Sequence, residues 1–237
     1  MRLRGRRLGN WGRPDAGVGS VHETGREMQM NRDSGSKDFP IWLIGDSSPV
    51  RWEENLVDPL DSRHPARHNI WTPVLEGIQT RLYAASGERL RTDGLYVRNA
   101  VHDASAKPRG NASEWSTGLA VETRELSRLF EVHAPKLVFS FGAFAFEFTR
   151  RARGECRGRA FRHWSTKRLG EEFRGRLDAF TPIEVNLVPL LHASIARGHF
   201  LRSHQNFTQM EDGNYFDYVA HRIADCLRGN RTVFPIG

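Results

Sequence analysis

Four positions in this chain sit at the ends of apolar, strand-like runs and carry either a reactive side chain or a turn that would expose one. Asp46 follows Phe39-Pro40-Ile41-Trp42-Leu43-Ile44 across Gly45, and Asn99 lies in Gly94-Leu95-Tyr96-Val97-Arg98-Asn99-Ala100-Val101. Gly142 closes Lys136-Leu137-Val138-Phe139-Ser140-Phe141, and His192 follows a run from Ile183 to Leu190. A carboxylate, a carboxamide and an imidazole equip a site to hold water, read hydrogen-bonding edges and donate a proton. Each also has a plain alternative: Asp46 as a helix or turn cap, Asn99 as a partner for backbone groups after its strand. His64, His68 and His102 fall in loops and read as solvated. Only Cys156 and Cys226 are present, without a C-x-x-C pair, so neither a disulfide framework nor a zinc or iron–sulfur site is indicated. Whatever chemistry occurs is expected to need no metal and no cofactor.

Those positions must be held by an alternating architecture. Ile70, Val74, Leu75, Ile78 and Leu82 recur at helical spacing between the first two strands. Leu119, Val121, Leu126, Leu129 and Phe130 do so over 117–134, and Pro135 stops that helix. A helix over 143–153 follows Gly142, and another over 215–227 ends the pattern. Strands alternating with helices predict an α/β fold with a mainly parallel sheet covered on both faces. In such sheets ligands gather beyond the carboxyl ends of the strands, where Asp46, Asn99, Gly142 and His192 all fall.

Four segments in this order resemble the uracil-DNA glycosylase superfamily, over roughly Trp42 to Arg202. Gly45-Asp46-Ser47-Ser48-Pro49 is similar to its Gly-acid-x-Pro water-activating loop, and Tyr96 to Val101 to its base-reading strand. Pro135 to Ala143 is similar to its central strand with a Gly-Ala turn, and Leu190-Leu191-His192-Ala193-Ser194 to its His-Pro-Ser loop. The resemblance implies a three-layer α/β/α sandwich and a monofunctional DNA glycosylase, which flips a base out of DNA and hydrolyses its N-glycosidic bond. It implies that Asp46 positions water and stabilises a cationic sugar, and that His192 donates a hydrogen bond to the departing base. Asn99 would read the flipped base, with Ser47 beside it and Trp52 or Trp71 stacking on the ring. Ser194 would grip a phosphate, and Ile195 or Arg197 would fill the vacated stack.

The chain also departs from that pattern. Its loop reads Asp-Ser-Ser-Pro, with Pro one residue later than in relatives, so either Asp46 or Ser47 occupies the water position. Ala193 replaces Pro. No aromatic blocks the base C5 position, which admits a modified cytosine such as phage DNA carries, in a defence role, beside ordinary uracil-like repair substrates. A non-catalytic DNA-binding member of the same superfamily is the alternative. An unrelated hydrolase or nucleotide-binding domain is disfavoured, because no G-x-S-x-G, P-loop or G-x-G-x-x-G accompanies the first strand.

A formal charge of +7 and pI near 10 favour a polyanionic partner, here DNA, although an Arg bias with only four Lys can also reflect base composition. Between Thr149 and Arg176 ten Lys or Arg face three Glu, a run led by Arg150 and Arg151 that is either a solvated face or a flank for DNA phosphates. Residues 1–38 are rich in Gly and Arg and are expected to form a disordered basic arm ahead of one domain over 39–237. Met28 and Met30 are alternative starts. No run approaches the ~18 apolar residues of a membrane span. A monomeric, cytoplasmic protein is expected.

Overall fold

A strand covered on both faces shows no polar alternation, and Leu137–Phe141 is the clearest such run: all five residues are buried. The computed structural model describes residues 33–48, 72–155, 158–196, 201–211 and 214–237. Five strands form one sheet: β1 (Asp33–Ser34), β2 (Ile41–Ser48), β3 (Tyr96–Asp103), β4 (Leu137–Phe141) and β5 (Asn186–Leu190), in the order β1-β3-β2-β4-β5. β2, β3, β4 and β5 run parallel, and β1 pairs antiparallel with the outer edge of β3. The chain is therefore an α/β fold with a mixed, mostly parallel sheet.

Parallel neighbours need long crossovers, and helices supply them. α1 (Thr72–Ser86) joins β2 to β3, and α2 (Thr117–His133) carries the chain across to β4. α3 (Ala143–Ala152) and α4 (Thr166–Asp178) lead to β5, and α5 (Ala193–Ala196), α6 (Leu201–Thr208) and α7 (Tyr215–Gly229) follow. Because β3 and β4 lie on opposite sides of β2, the winding reverses there and opens a crevice at the carboxyl ends of β2 and β4.

The helix ends follow local chemistry. Ser116 caps α2 by accepting the Leu119 N–H, and Ala134, in the left-handed region at φ 42°, ends the helix before Pro135. Gly170 lets α4 meet α6: a Cβ there would lie 2.0 Å from the Phe207 carbonyl oxygen.

Several elements differ from the sequence expectation. β2 does not turn at Gly45 but continues to Ser48, because β3 runs beside it and extends the ladder through Gly45↔Asn99 and Ser47↔Val101. The sheet also takes in Asp33–Ser34, upstream of Phe39, and the Tyr96 hydroxyl donates to Asp33 Oδ2 at 2.6 Å. Ile183–Val185 is not strand. The Asn186 carboxamide accepts from Thr181 N–H and donates to the carbonyls of Lys136, Thr181 and Glu184, folding that segment into a turn. α4 and α6 were not anticipated, yet the charged segment 166–178 buries Leu169, Phe173 and Leu177 on one stripe.

The basic run is organised around one acid. Glu147, on α3, is fully buried. Its Oε2 accepts from Arg150 at 3.1 Å and from the Trp164 indole at 2.8 Å; its Oε1 accepts from Arg151 at 2.9 Å and from the Arg159 backbone at 2.6 Å. A buried charge is tolerated only when so fully partnered. Glu147→Ala, which removes the one carboxylate shared by Arg150, Arg151, the Arg159 backbone and Trp164, is expected to cost about 3–5 kcal/mol, the range for breaking a buried pair. Urea unfolding checks this; a loss under roughly 0.5 kcal/mol, ordinary for a surface site, would contradict it.

Candidate active site

The first charged side chain after the buried segment of β2 is Asp46. Its carboxylate meets Lys107, whose Nζ donates to Oδ2 at 2.8 Å and also stands 2.8 Å from Oδ1. The Oδ1 contact is poorly directed, so that buried oxygen accepts no well-formed hydrogen bond. A single-turn 3-10 helix, Ala104–Ala106, delivers Lys107 directly after β3, with the Lys107 N–H returning to the Ala104 carbonyl at 3.3 Å. The ammonium lies 5.4 Å from the ring centroid of Phe144, a buried residue at the start of α3.

His192 reaches the same place from β5. The Leu191 N–H donates to the buried Tyr215 hydroxyl at 2.8 Å, tying the strand end to α7. The His192 carbonyl accepts from Ile195 and Ala196 N–H at 2.9 Å each, which starts α5. Gly142 makes room for the histidine: its φ of 96° favours glycine, and a Cβ there would lie 3.0 Å from His192 Cβ. Burial lowers the His192 pKa; the negative charge of Asp46 raises it, and Lys107 lowers it further. Asp46, Lys107 and His192 thus share one electrostatic site at the crevice, with groups drawn from three strand ends. No protein-family model matches this chain, and no curated protein matches it.

The strand ends do not place every candidate together. Asn99 is the register partner of Gly45 and Ser47 that of Val101. Register partners in parallel strands share a face, so Ser47 and Asn99 lie on one face of the pleat and Asp46 on the other. Ile195 is partly buried and packs against the core. Arg150 and Arg151, expected at DNA, turn inward to Glu147, and Arg151 also stacks over Trp115 at 3.7 Å. Trp52, Trp71 and Arg197 lie outside the described residues, as does the side chain of Ser194. Among the described residues, no group of three His, Cys, Asp or Glu could hold a metal ion, and no helix is long and apolar enough to cross a membrane.

Sequence reasoning missed Lys107. It is one of four lysines in the chain and follows a strand, so the rule that sends ligands to strand ends could have flagged it. Nothing in its spacing reveals the partner, which comes from a different strand.

The shared site can be tested on the imidazole itself. In an NMR titration His192 is expected below the ordinary value near 6.5. Asp46→Asn should move it lower still, and Lys107→Met should move it up. The lowered pKa means the unfolded chain binds more protons in the window between the two values. The His192 contribution to stability should therefore be constant above about pH 6.5 and fall as pH drops toward the folded pKa. A titration unmoved by both substitutions would separate His192 from the other two.

Proposed function

We propose that this chain is a DNA glycosylase of the uracil-DNA glycosylase type, with the sheet and its helices forming a three-layer α/β/α sandwich. The observation that carries the reading is the convergence of Asp46 and His192, from non-adjacent strands, at the point where the strand order reverses. A flipped pyrimidine held there would lose its base by cleavage of the C1′–N1 bond, the electron pair leaving with the base. Water held by Asp46 would attack C1′ as the sugar becomes cationic, the carboxylate stabilising that charge and the proton lost by the water ending on the departing base. The His192 N–H would stabilise the anion developing on base O2. Its lowered pKa is compatible with the role, since the neutral imidazole keeps one N–H to donate. Lys107 orients the Asp46 carboxylate through Oδ2, while the poorly satisfied Oδ1 is the oxygen left to hold water.

Asn99 and Ser47, together on their face of the strand ends, are proposed to read the base edge. Trp52 or Trp71 would stack on it, Ser194 would grip a phosphate, and Ile195 or Arg197 would fill the vacated stack. The base is a uracil-like pyrimidine or a 5-modified cytosine. One observation favours a second reading, a DNA-binding protein that cleaves nothing: Lys107 offsets the charge of the carboxylate on which the chemistry depends.

Labelled duplexes and single strands bearing uracil, hypoxanthine, mismatched thymine or bulky 5-substituted cytosine distinguish the two readings, with alkali revealing abasic sites. Release of one base is expected, falling about 10²–10³-fold in Asp46→Asn or His192→Ala, the scale of losing one transition-state contact. Release that both variants leave intact would remove the assignment of this site. DNA binding without release of any base would establish the second reading.

A further inference from the structure

A cleft of about 410 Å³ opens between residues 159–164 and α4, lined by none of the strand-end residues. Two of its arginines are already neutralised. Arg150 pairs with Glu147 and Glu155, and Arg176 with Glu155 and Glu172. The other two, Arg159 and Arg168, pair with no carboxylate among the described residues. Both point instead at one imidazole: Arg159 Nη1 lies 3.2 Å from His163 Nε2, and Arg168 Nη1 lies 2.8 Å from His163 Nδ1. A neutral imidazole has one N–H and one lone pair, so it can accept from only one of them. At the other nitrogen a donor faces a donor.

Arg168 Nη1 also donates to the His163 carbonyl at 2.9 Å, but the donor–donor meeting at one ring nitrogen still calls for an acceptor between the guanidiniums, and the cleft has room for one. We propose that Arg159, Arg168 and His163 form a binding site for a phosphoryl group, whose oxygens accept from both guanidiniums and from the ring. Guanidinium suits this ligand because its donors match phosphate oxygens two at a time. The charges facing His163 have a definite balance. Partial burial lowers its pKa first, then the positive charges of Arg168, Arg159 and Arg150, while Glu147 raises it. A bound anion acts in the opposite sense and favours the charged ring. Glu171 is the opposing group: it lines the cleft, forms no ion pair among the described residues, and repels an anion. The site stands apart from the strand-end residues and does not depend on base excision.

The test uses the full chain in phosphate-free buffer and follows the His163 ring by NMR while inorganic phosphate is added. Saturable shifts and a raised His163 pKa are expected. The Arg159→Gln, Arg168→Gln double variant should weaken phosphate about tenfold or more, given that hydrogen bonds to charged groups exceed the ~1.4 kcal/mol of one decade. Glu171→Gln, at an exposed position, should tighten it, so the proposal can be checked even if the double variant folds poorly. A second arm measures binding of an unmodified DNA duplex against salt. If the double variant weakens duplex binding and reduces the salt slope by about one, the phosphoryl group is supplied by the DNA backbone. If duplex binding is unchanged while phosphate binding weakens, the ligand is a small phosphorylated molecule. Phosphate that leaves the His163 titration unmoved, in the parent chain and in Glu171→Gln alike, overturns the proposal.

Discussion

The central strand β2 has hydrogen-bonding neighbours along both edges, and Ile41, Trp42, Leu43 and Ile44 are all shut off from water. Charge is excluded from such a segment, because an isolated ion there would lose its hydration without recompense. The first position at which β2 can carry one is near its carboxyl end, and that position is Asp46. The same constraint acts on β4 and β5, buried over nearly their whole length. Polar function is thereby pushed to one edge of the sheet, where the reversal of strand order leaves a crevice. Gly142 is the steric counterpart of this rule: it gives up a side chain so that the residue after β5 can enter the same space.

Acidic groups are used here in two ways. Glu147 is enclosed, and every oxygen it presents is taken by a donor from α3, from the 159 backbone or from Trp164. Such an acid fixes structure, since any movement would leave charge unpaired in a region of low dielectric. Asp46 is less enclosed and holds a single cation through one well-directed hydrogen bond. A carboxylate with one oxygen committed and one poorly satisfied is anchored yet able to take a further partner. That difference separates a structural acid from a candidate catalytic one more clearly than burial alone, since both are largely withdrawn from solvent.

Much of the scaffold was legible from local pattern. The helices over Thr72–Ser86, Thr117–His133 and Ala143–Ala152 and the strands β3 and β4 follow hydrophobic periodicity closely, and so does the apolar part of β2, which then runs past Gly45 to Ser48. The failures share a cause. Residues 183–185 read as strand because β-branched residues flank the true one, but the Asn186 carboxamide satisfies the backbone in a turn instead. The α4 segment read as part of a charge run because its four basic residues mask three apolar ones on a single stripe. In each case a hydrogen-bonding or packing partner outvoted the local hydrophobic pattern, the Asn186 carboxamide in the first and the apolar stripe of α4 in the second.

The sequence by itself determined which residues stand at the ends of the buried strands, because apolar runs, glycines and prolines act locally on the backbone. Asp46, Asn99, Gly142 and His192 could be named from that alone. Tertiary structure decided which of them meet. Strand order brought Asp46 and His192 to one crevice although they lie 146 positions apart in the chain. Register assigned Asn99 to the other face of the pleat. Packing added Lys107 to Asp46 and drew Arg150 and Arg151 inward to Glu147. Pairing between distant charges depends on distance and burial, and neither quantity exists until the sheet has closed.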